Sequence, residues 1–230
     1  MIKGVLIDLG NTLWHNCNPD FKKALKVLYE LNNNHQVSLE EFLSFSSDFT
    51  DQVYNQRSEF EIRFQDFLHF LKTYFHLAYS IEDIEVEYQF SKIYEKLELV
   101  PDIVHFLKYC AENKIEVVAL SNSTFTSTIL EKQAQDLKID KYFKKILSSA
   151  DYVFRKPNTN FFKLGISCFN CEKKEILYIG NDLYCDIYGA SKTGLNAIWF
   201  NEYNNNKSYT LCFHSYLDII KYIQKERGVE

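Results

Sequence analysis

The feature that most constrains this chain of 230 residues is the isolation of its first apolar run. Residues 2–8 have the pattern of a buried strand that ends in Asp8, yet the next strand-like run begins only at Ile115. From about residue 99 onward, short apolar runs alternate with helical periodicity. The later strands are expected at residues 115–120, 145–147, 176–179 and 196–200, with a terminal strand and helix from 210 to 226. This alternation predicts an α/β fold with a doubly wound parallel sheet, whose first strand is separated from the others by an insertion.

The insertion has helical periodicity and almost no strand pattern. Its apolar residues recur at helical spacing in four successive segments, and Ser38 with Glu41 has capping-box spacing at the start of the second. Four amphipathic helices joined by short loops favour a helical bundle. We therefore predict a Rossmann-like core, residues 1–14 and 99–230, and a four-helix-bundle cap, residues 15–98.

The charge pattern excludes two classes of partner. The net charge is −5 and the paired lysines are interleaved with acidic residues, so the chain lacks the basic patch of a nucleic-acid-binding surface. No apolar run approaches the roughly 18 residues of a membrane-spanning helix. The amino terminus also lacks a signal-peptide pattern. We therefore expect a cytoplasmic protein with no nucleic-acid or membrane partner, and a monomer by default.

Polar side chains follow the predicted strands at the points where the strands end. They are Asp8 after the first strand, Ser121 and Asn122 after the second, Lys156 after the third, and Asn181, Asp182 and Asp186 after the fourth. Ligands of open parallel sheets bind at this carboxyl edge. Each residue alone has an ordinary structural explanation, such as a helix cap or a solvated lysine. Together, in this order, they predict a functional site.

The residue types at this edge suit phosphoryl transfer. Several carboxylates in one place repel one another unless a cation joins them, and Mg²⁺ prefers oxygen ligands of this kind. A carboxylate such as Asp8 can attack phosphorus and form an aspartyl-phosphate, which divides the displacement into two easier steps. Lys156 and the Ser121 hydroxyl would orient the equatorial oxygens. Further donors would be the backbone N–H groups of Leu9, Gly10 and Asn122. The site thus predicts a Mg²⁺-dependent enzyme for a small phosphorylated substrate.

Four segments resemble, in order, the four sequence motifs of the haloacid dehalogenase-like (HAD) hydrolase superfamily. They are IDLGNTL, VVALSNS, RKP and YIGNDLYCDIYGA. The helical insertion is similar to the cap that this family carries between its first and second motifs. The resemblance implies that Asp8 is the nucleophile and a metal ligand. It also implies that Ser121 and Lys156 bind the phosphate, and that the acids of the fourth motif complete a Mg²⁺ site.

The chain departs from the family pattern at Gly10, where phosphatases of the family usually have an aspartate that protonates the leaving group. The Gly10 carbonyl can still bind metal, because that family ligand is a main-chain oxygen. The missing general acid is worth about 10²–10⁴ in rate. A cap residue, a water molecule or the substrate would have to supply the proton. His15 is one candidate by its ordinary pKa, although packing or solvent exposure is the more ordinary explanation for it.

The fourth motif departs from the pattern as well. Aligned from Gly180, the position of the usual aspartate holds Asn181; aligned from Asp186, it holds Asp182. We favour Asp182 as the principal metal ligand, with Asn181 as the alternative through its side-chain oxygen. Asp186 would then orient the site or Lys156.

Three functions compete for this sequence. The favoured one is a phosphatase of a small phosphorylated metabolite. The second, which Gly10 favours, is a catalytically weak binding or regulatory protein. The third is a 2-haloacid dehalogenase, a branch that the LSN of the second motif resembles. That branch needs no metal and uses an arginine early in the cap, whereas the first arginine here is Arg57. Arg57 and Arg63 could instead hold a distal anionic group of a substrate.

Overall fold

Eight strands form two sheets in the computed structural model, which describes residues 1–54, 58–203, 209 and 211–228. The strands are β1 (Gly4–Ile7), β2 (Trp14–Asn16), β3 (Leu97–Leu99), β4 (Glu116–Ser121), β5 (Lys145–Ser148), β6 (Ile176–Gly180), β7 (Asn196–Phe200) and β8 (Cys212–Phe213). The larger sheet has the order β5-β4-β1-β6-β7-β8, and every neighbouring pair in it is parallel. The short strands β2 and β3 form a separate antiparallel ribbon.

Ten α-helices accompany these strands in the same described segments. They are α1 (Phe21–Leu31), α2 (Leu39–Tyr54), α3 (Phe64–Phe75), α4 (Asp83–Tyr94), α5 (Ile103–Glu112), α6 (Ser127–Asp136), α7 (Ser149–Tyr152), α8 (Thr159–Ser167), α9 (Gly189–Lys192) and α10 (Tyr216–Glu226). A π-helix at Leu183–Tyr188 precedes α9. None of these helices is long and apolar enough to cross a membrane.

Helices cover both faces of the large sheet. Successive residues of β1 point to opposite faces, as the period of a strand requires. Val5 and Ile7 pack in the cluster that includes residues of α5 and α10, whereas Leu6 packs in the cluster that includes residues of α8 and α9. The strand is buried throughout, which explains its unbroken apolar run. The prediction of a doubly wound, Rossmann-like core is confirmed.

The position of β1 in the sheet creates the crevice that a ligand would occupy. β1 lies between β4 and β6. The chain therefore continues to β4 and β5 on one side of β1 and then crosses to β6 on the other. Open parallel sheets bind ligands outside the carboxyl ends of their strands at such a reversal. Asp8 is the residue that directly follows β1 at this point.

The cap consists of α1 to α4, close to the four predicted helical segments. Its core is rich in aromatic side chains and includes Phe125 and Ile129 from the Rossmann-like core, so the two units pack together. The β2–β3 ribbon, which pairs Trp14 with Leu99, lies at the base of the cap and was not predicted. Strands of three residues carry no alternation that a sequence pattern could reveal. The division at residues 15 and 98 stays a prediction, since the ribbon spans both positions.

Glu87 of α4 anchors the cap to the core. Its side chain is buried and accepts a hydrogen bond from the Thr126 backbone N–H (2.8 Å), next to the start of α6. It accepts another from Gln65 Nε2 (3.0 Å) in α3. Burial raises the pKa of this carboxyl above its ordinary value. A buried carboxylate is tolerated only with such donors, so Glu87 holds α3 and α4 against α6.

Replacing Glu87 by alanine should destabilise the protein, because the buried Thr126 N–H then loses its acceptor. The free energy of unfolding, measured by urea denaturation at pH 7, should fall by about 1–3 kcal/mol. Glu82→Ala is the control: Glu82 is exposed and makes no capping hydrogen bond through its side chain. Its effect should stay within about 0.5 kcal/mol. Equal effects of the two substitutions would contradict the anchoring role.

Candidate active site

All but one of the predicted site residues meet at one cavity of about 290 Å³, at the carboxyl ends of β1, β4 and β6. Those that line it are Asp8, Gly10, Ser121, Asn122, Lys156, Asn181, Asp182 and Asp186. Leu9, which we also predicted as a phosphate-binding position, does not line the cavity. Its side chain is buried in the core with that of Ile7.

Lys156 joins two carboxylates in this cavity. Its Nζ lies 2.6 Å from Asp8 Oδ1 and 2.6 Å from Asp186 Oδ1. All three residues are buried. Although burial acts to lower it, the facing carboxylates of Asp186 and Asp8 raise the pKa of Lys156 above its ordinary value. The cationic form of Lys156 is therefore favoured beside Asp8.

Asp8 is held rigidly by its neighbours. Its backbone N–H donates to the Ile179 carbonyl (2.9 Å), which continues the pairing of β1 with β6. Its Oδ2 accepts a hydrogen bond from Thr12 Oγ1 (3.1 Å). Burial raises the pKa of Asp8 to about 6, although Lys156 acts to lower it. The carboxylate is consequently ionised above that pH. Its two oxygens have different neighbours, Lys156 at Oδ1 and Thr12 at Oδ2.

Tyr178 belongs to the same network and was missed by the sequence analysis. Its hydroxyl donates to Asp186 Oδ1 (2.6 Å) and accepts from Lys156 Nζ (3.2 Å). The signal available was a tyrosine inside the apolar strand β6, since a buried hydroxyl needs a partner. Both carboxylate oxygens of Asp186 therefore accept hydrogen bonds: Oδ1 from Lys156 and Tyr178, and Oδ2 from the Asp182 N–H (2.9 Å). Its geometry suits the orienting role that we predicted.

Asn122 positions Lys156 through the main chain. Its Oδ1 accepts from the Lys156 backbone N–H (2.7 Å), and its Nδ2 donates to the Lys156 carbonyl (2.9 Å). This pair of bonds fixes the loop between α7 and α8 against the end of β4. Ser121, the last residue of β4, is buried next to it and lines the cavity.

The fourth-motif residues point in different directions. Asp182 is exposed, and its Oδ1 accepts from the backbone N–H groups of Tyr184 (2.8 Å) and Cys185 (2.6 Å), which caps the π-helix. Asn181 faces the site instead: a terminal atom of its amide lies 3.0 Å from the Gly10 carbonyl oxygen and 3.3 Å from Asp8 Oδ2. Of the two predicted metal ligands, Asn181 is therefore the one that lies beside Asp8 and Gly10, and which of them binds metal stays a prediction.

These atoms could hold a divalent cation. With its oxygen turned inward, Asn181 places three oxygens together: its own Oδ1, Gly10 O and Asp8 Oδ2. In an octahedral Mg²⁺ shell with bonds of about 2.1 Å, adjacent oxygens are about 3 Å apart, which matches this spacing. With the amide nitrogen inward, Asn181 donates to the same acceptors. In the described segments no group of three His, Cys, Asp or Glu side chains could hold a metal, so a site here would combine the Asp8 carboxylate with neutral oxygens.

The wall of the cavity near the cap includes Trp14, Leu130 and Gln133, together with Glu95, which no sequence pattern had marked. His15 lies in β2 but does not line the cavity. Its Nε2 is 2.9 Å from Glu202 Oε2.

The cap arginines also lie elsewhere. Arg63 precedes α3, and its Nε donates to Asp66 Oδ2 (2.9 Å) in the first turn of that helix. Arg57 lies outside the described residues.

Comparison with known proteins identifies the family. Residues 2–194 match the haloacid dehalogenase-like hydrolase family. The chain belongs to the haloacid dehalogenase-like hydrolases. The family that the four motifs predicted is thereby confirmed, and so is the prediction that the protein is a hydrolase.

Two curated relatives of this HAD-like hydrolase are glyceraldehyde 3-phosphate phosphatases. The one from Methanocaldococcus jannaschii is 22% identical over 242 residues, which cover 98% of this chain and 100% of the relative. The one from Pyrococcus abyssi is 38% identical over 64 residues, which cover 28% of this chain and 27% of the relative.

Solved structures share the fold of this HAD-like hydrolase. A HAD phosphatase from Thermococcus onnurineus has a TM-score of 0.63 at 19% identity, covering 100% of this chain and 99% of that chain. A 2-haloacid dehalogenase from Pseudomonas syringae pv. Tomato DC3000 has a TM-score of 0.66 at 18% identity, covering 98% and 100%. Since both a phosphatase and a dehalogenase match, the fold alone does not choose between the two reactions.

Lys156→Met should be strongly destabilising, because it leaves the buried carboxylates of Asp8 and Asp186 without their cation. We expect a loss of about 3–5 kcal/mol in the free energy of unfolding, measured by urea denaturation at pH 7.5. Lys163→Met, at an exposed position of α8, is the matched control. A loss no larger than that of the control would show that the ammonium group is not needed to hold the carboxylates together.

Proposed function

We propose that the protein is a Mg²⁺-dependent phosphatase that hydrolyses a small phosphorylated metabolite through an aspartyl-phosphate on Asp8. The observation that carries this proposal is the arrangement around that carboxylate. Lys156 holds Oδ1, while Oδ2 lies beside the terminal amide group of Asn181, which also contacts the Gly10 carbonyl oxygen. An anionic nucleophile meets an anionic phosphate only where cations offset both charges, and this cavity offers places for two of them.

The residues of the cavity have distinct roles in this reaction. An oxygen of Asp8 attacks phosphorus in line with the leaving group, and water then hydrolyses the aspartyl-phosphate. Lys156 offsets the charge of the phosphoryl oxygens, and Ser121 with the backbone of Asn122 orients them. Mg²⁺, held by Asp8, the Gly10 carbonyl and Asn181, would supply further charge neutralisation when bound.

The curated relatives support a phosphorylated substrate. The Methanocaldococcus jannaschii relative, which aligns along its full length, is named for glyceraldehyde 3-phosphate. A relative from Halopiger xanaduensis, 28% identical over 107 residues and covering 46% of this chain and 44% of the relative, is a ribulose-1,5-bisphosphate 5-phosphatase. From these names we extend to this chain only the class, a small phosphorylated metabolite.

One alternative has an observation in its favour. Gly10 removes the acid that phosphatases of the family usually carry, which favours a binding or regulatory protein with weak catalysis. A dehalogenase has less support, because attack on carbon needs no cation, yet Asn181, Gly10 and Asp8 form a cluster suited to one.

Hydrolysis of para-nitrophenyl phosphate tests the proposal, because its leaving anion is stable without a proton and Gly10 should therefore matter little. The wild-type protein should turn it over with Mg²⁺ and lose the activity in EDTA. Asp8→Asn should lower kcat by at least about 10³-fold, because it removes the nucleophile. Asp48→Asn, at an exposed position of α2, should leave kcat unchanged. Absence of turnover by folded wild-type protein would reject the phosphatase and favour the binding protein.

The metal ligands can be told apart by their response to Mg²⁺. Asn181→Asp should lower the Mg²⁺ concentration at half-maximal activity by about tenfold, because a charged ligand replaces a neutral one. Asp182→Asn should leave this concentration nearly unchanged, since asparagine also caps helices and the side chain points away from the cluster. The opposite order would identify Asp182 as the ligand. Isothermal titration with Mg²⁺ gives an independent readout.

A further inference from the structure

The cavity lacks a proton donor at the expected position, and this inference rests on the proposed phosphatase function. Position 10 is a glycine, and a Cβ built there would have no atom within 4 Å. The space beside Gly10 is therefore open toward the cavity, with nothing else occupying the place of the absent side chain. A proton for the leaving group would therefore come from another wall of the cavity, from water or from the substrate.

Four carboxyl groups line the cavity, and three of them already have another role or are held by several hydrogen bonds. Asp8 is the proposed nucleophile. Asp186 is bonded to Lys156, Tyr178 and a backbone N–H. Asp182 accepts from two N–H groups of the π-helix. Glu95 is the fourth, and it is the one that comes from the cap side of the cavity.

Glu95 sits where the cap returns to the core. It follows α4 directly and precedes β3 of the ribbon. Its backbone N–H donates a hydrogen bond to the Ser91 carbonyl (2.7 Å). Its side chain is half-buried, and Oε2 accepts a hydrogen bond from Gln133 Nε2 (2.7 Å) in α6. Within the described segments, the ion pairs found do not include Glu95, so a neutral amide is what holds this carboxyl.

The surroundings of Glu95 favour proton exchange near neutral pH. Burial raises the pKa of its carboxyl to about 7, and the Gln133 hydrogen bond offsets this only in part. A general acid and base works best when its pKa lies near the working pH. The titratable and charged groups that share the cavity with it are Asp8, Arg155, Lys156, Asp182, Cys185 and Asp186.

We propose that the Glu95 carboxyl is the general acid and base of this enzyme, supplied from the base of the cap in place of the side chain absent at Gly10. In the first step an oxygen of Asp8 forms a bond to phosphorus and the bond from phosphorus to the leaving oxygen breaks. The electron pair of that bond stays on the leaving oxygen, which takes the Glu95 proton.

In the second step Glu95 is the base. A water oxygen forms a bond to the phosphorus of the aspartyl-phosphate, and the bond from phosphorus to the Asp8 oxygen breaks with its electron pair on Asp8. The Glu95 carboxylate takes the proton that this water loses. Inorganic phosphate leaves, Asp8 is again a carboxylate, and Glu95 is again protonated.

Two substrates of similar shape test the assignment. The leaving group of phenyl phosphate has a pKa of about 10, like a tyrosine side chain, and needs a proton. That of para-nitrophenyl phosphate does not. Release of the phenol in a single turnover with Mg²⁺ isolates the first step. Glu95→Gln should slow this release from phenyl phosphate by about 10²–10⁴-fold, and from para-nitrophenyl phosphate by less than about tenfold.

The controls separate a catalytic role from a structural one. Glutamine at position 95 can still form a hydrogen bond with Gln133. If Glu95 had only a structural role, Glu95→Gln would therefore change the rate with neither substrate. Glu98→Gln, at an exposed position of β3, should change neither rate. Gly10→Asp in the Glu95→Gln background should restore cleavage of phenyl phosphate, and no restoration would overturn the proposal.

The pH dependence gives a separate readout. In the wild-type protein, release from phenyl phosphate should fall as the pH rises through about 7, because Glu95 loses its proton. This fall should be absent from Glu95→Gln. Equal losses of rate on both substrates in Glu95→Gln would overturn the role of Glu95 but not the phosphatase function. A wild-type protein that cleaves only the nitrophenyl ester would have the same consequence. No wild-type turnover of either ester would overturn the phosphatase function itself.

Discussion

The buried ammonium group of Lys156 is the interaction on which the rest of the site depends. It touches the carboxylates of Asp8 and Asp186, and without it two like charges would share a buried space. Asn122 fixes its main chain, and Tyr178 completes its surroundings. One cation between two carboxylates leaves one negative charge over. That remaining charge is the physical reason why we propose a second cation beside Asp8, which would then let an anionic phosphate approach.

The cap is coupled to this charge balance through its base. Glu87 holds α3 and α4 against the start of α6, and Gln133 of α6 holds Glu95 at the cavity wall. Phe125 and Ile129 extend the apolar core of the cap into the Rossmann-like unit. Helix α6 thus contributes to holding the cap against the core and also positions the proposed proton donor. Substrate binding and proton transfer would then depend on the same packing.

Much of the site could be predicted because parallel strands bring their carboxyl ends to one edge. Asp8, Ser121, Lys156 and Asp186 are far apart in the chain, yet the sheet order places them around one cavity. The direction of a side chain, in contrast, could not be predicted from the sequence pattern. Asp182 turns to cap the π-helix and leaves Asn181 facing Gly10, a distinction that depends on one backbone turn. Tyr178 was hidden because its strand is otherwise apolar.

The sequence alone determined the architecture: short apolar strands with polar ends require a buried parallel sheet, and the helical period of the insertion requires a separate cap. It also determined the family, through four motifs in order. Only the tertiary structure decided which carboxyl groups share the cavity and in what state. Packing, not sequence spacing, sets the distance between charges and the burial of each. For that reason Glu95, unremarkable in the sequence, becomes a candidate proton donor once α4, β3 and α6 are assembled around it.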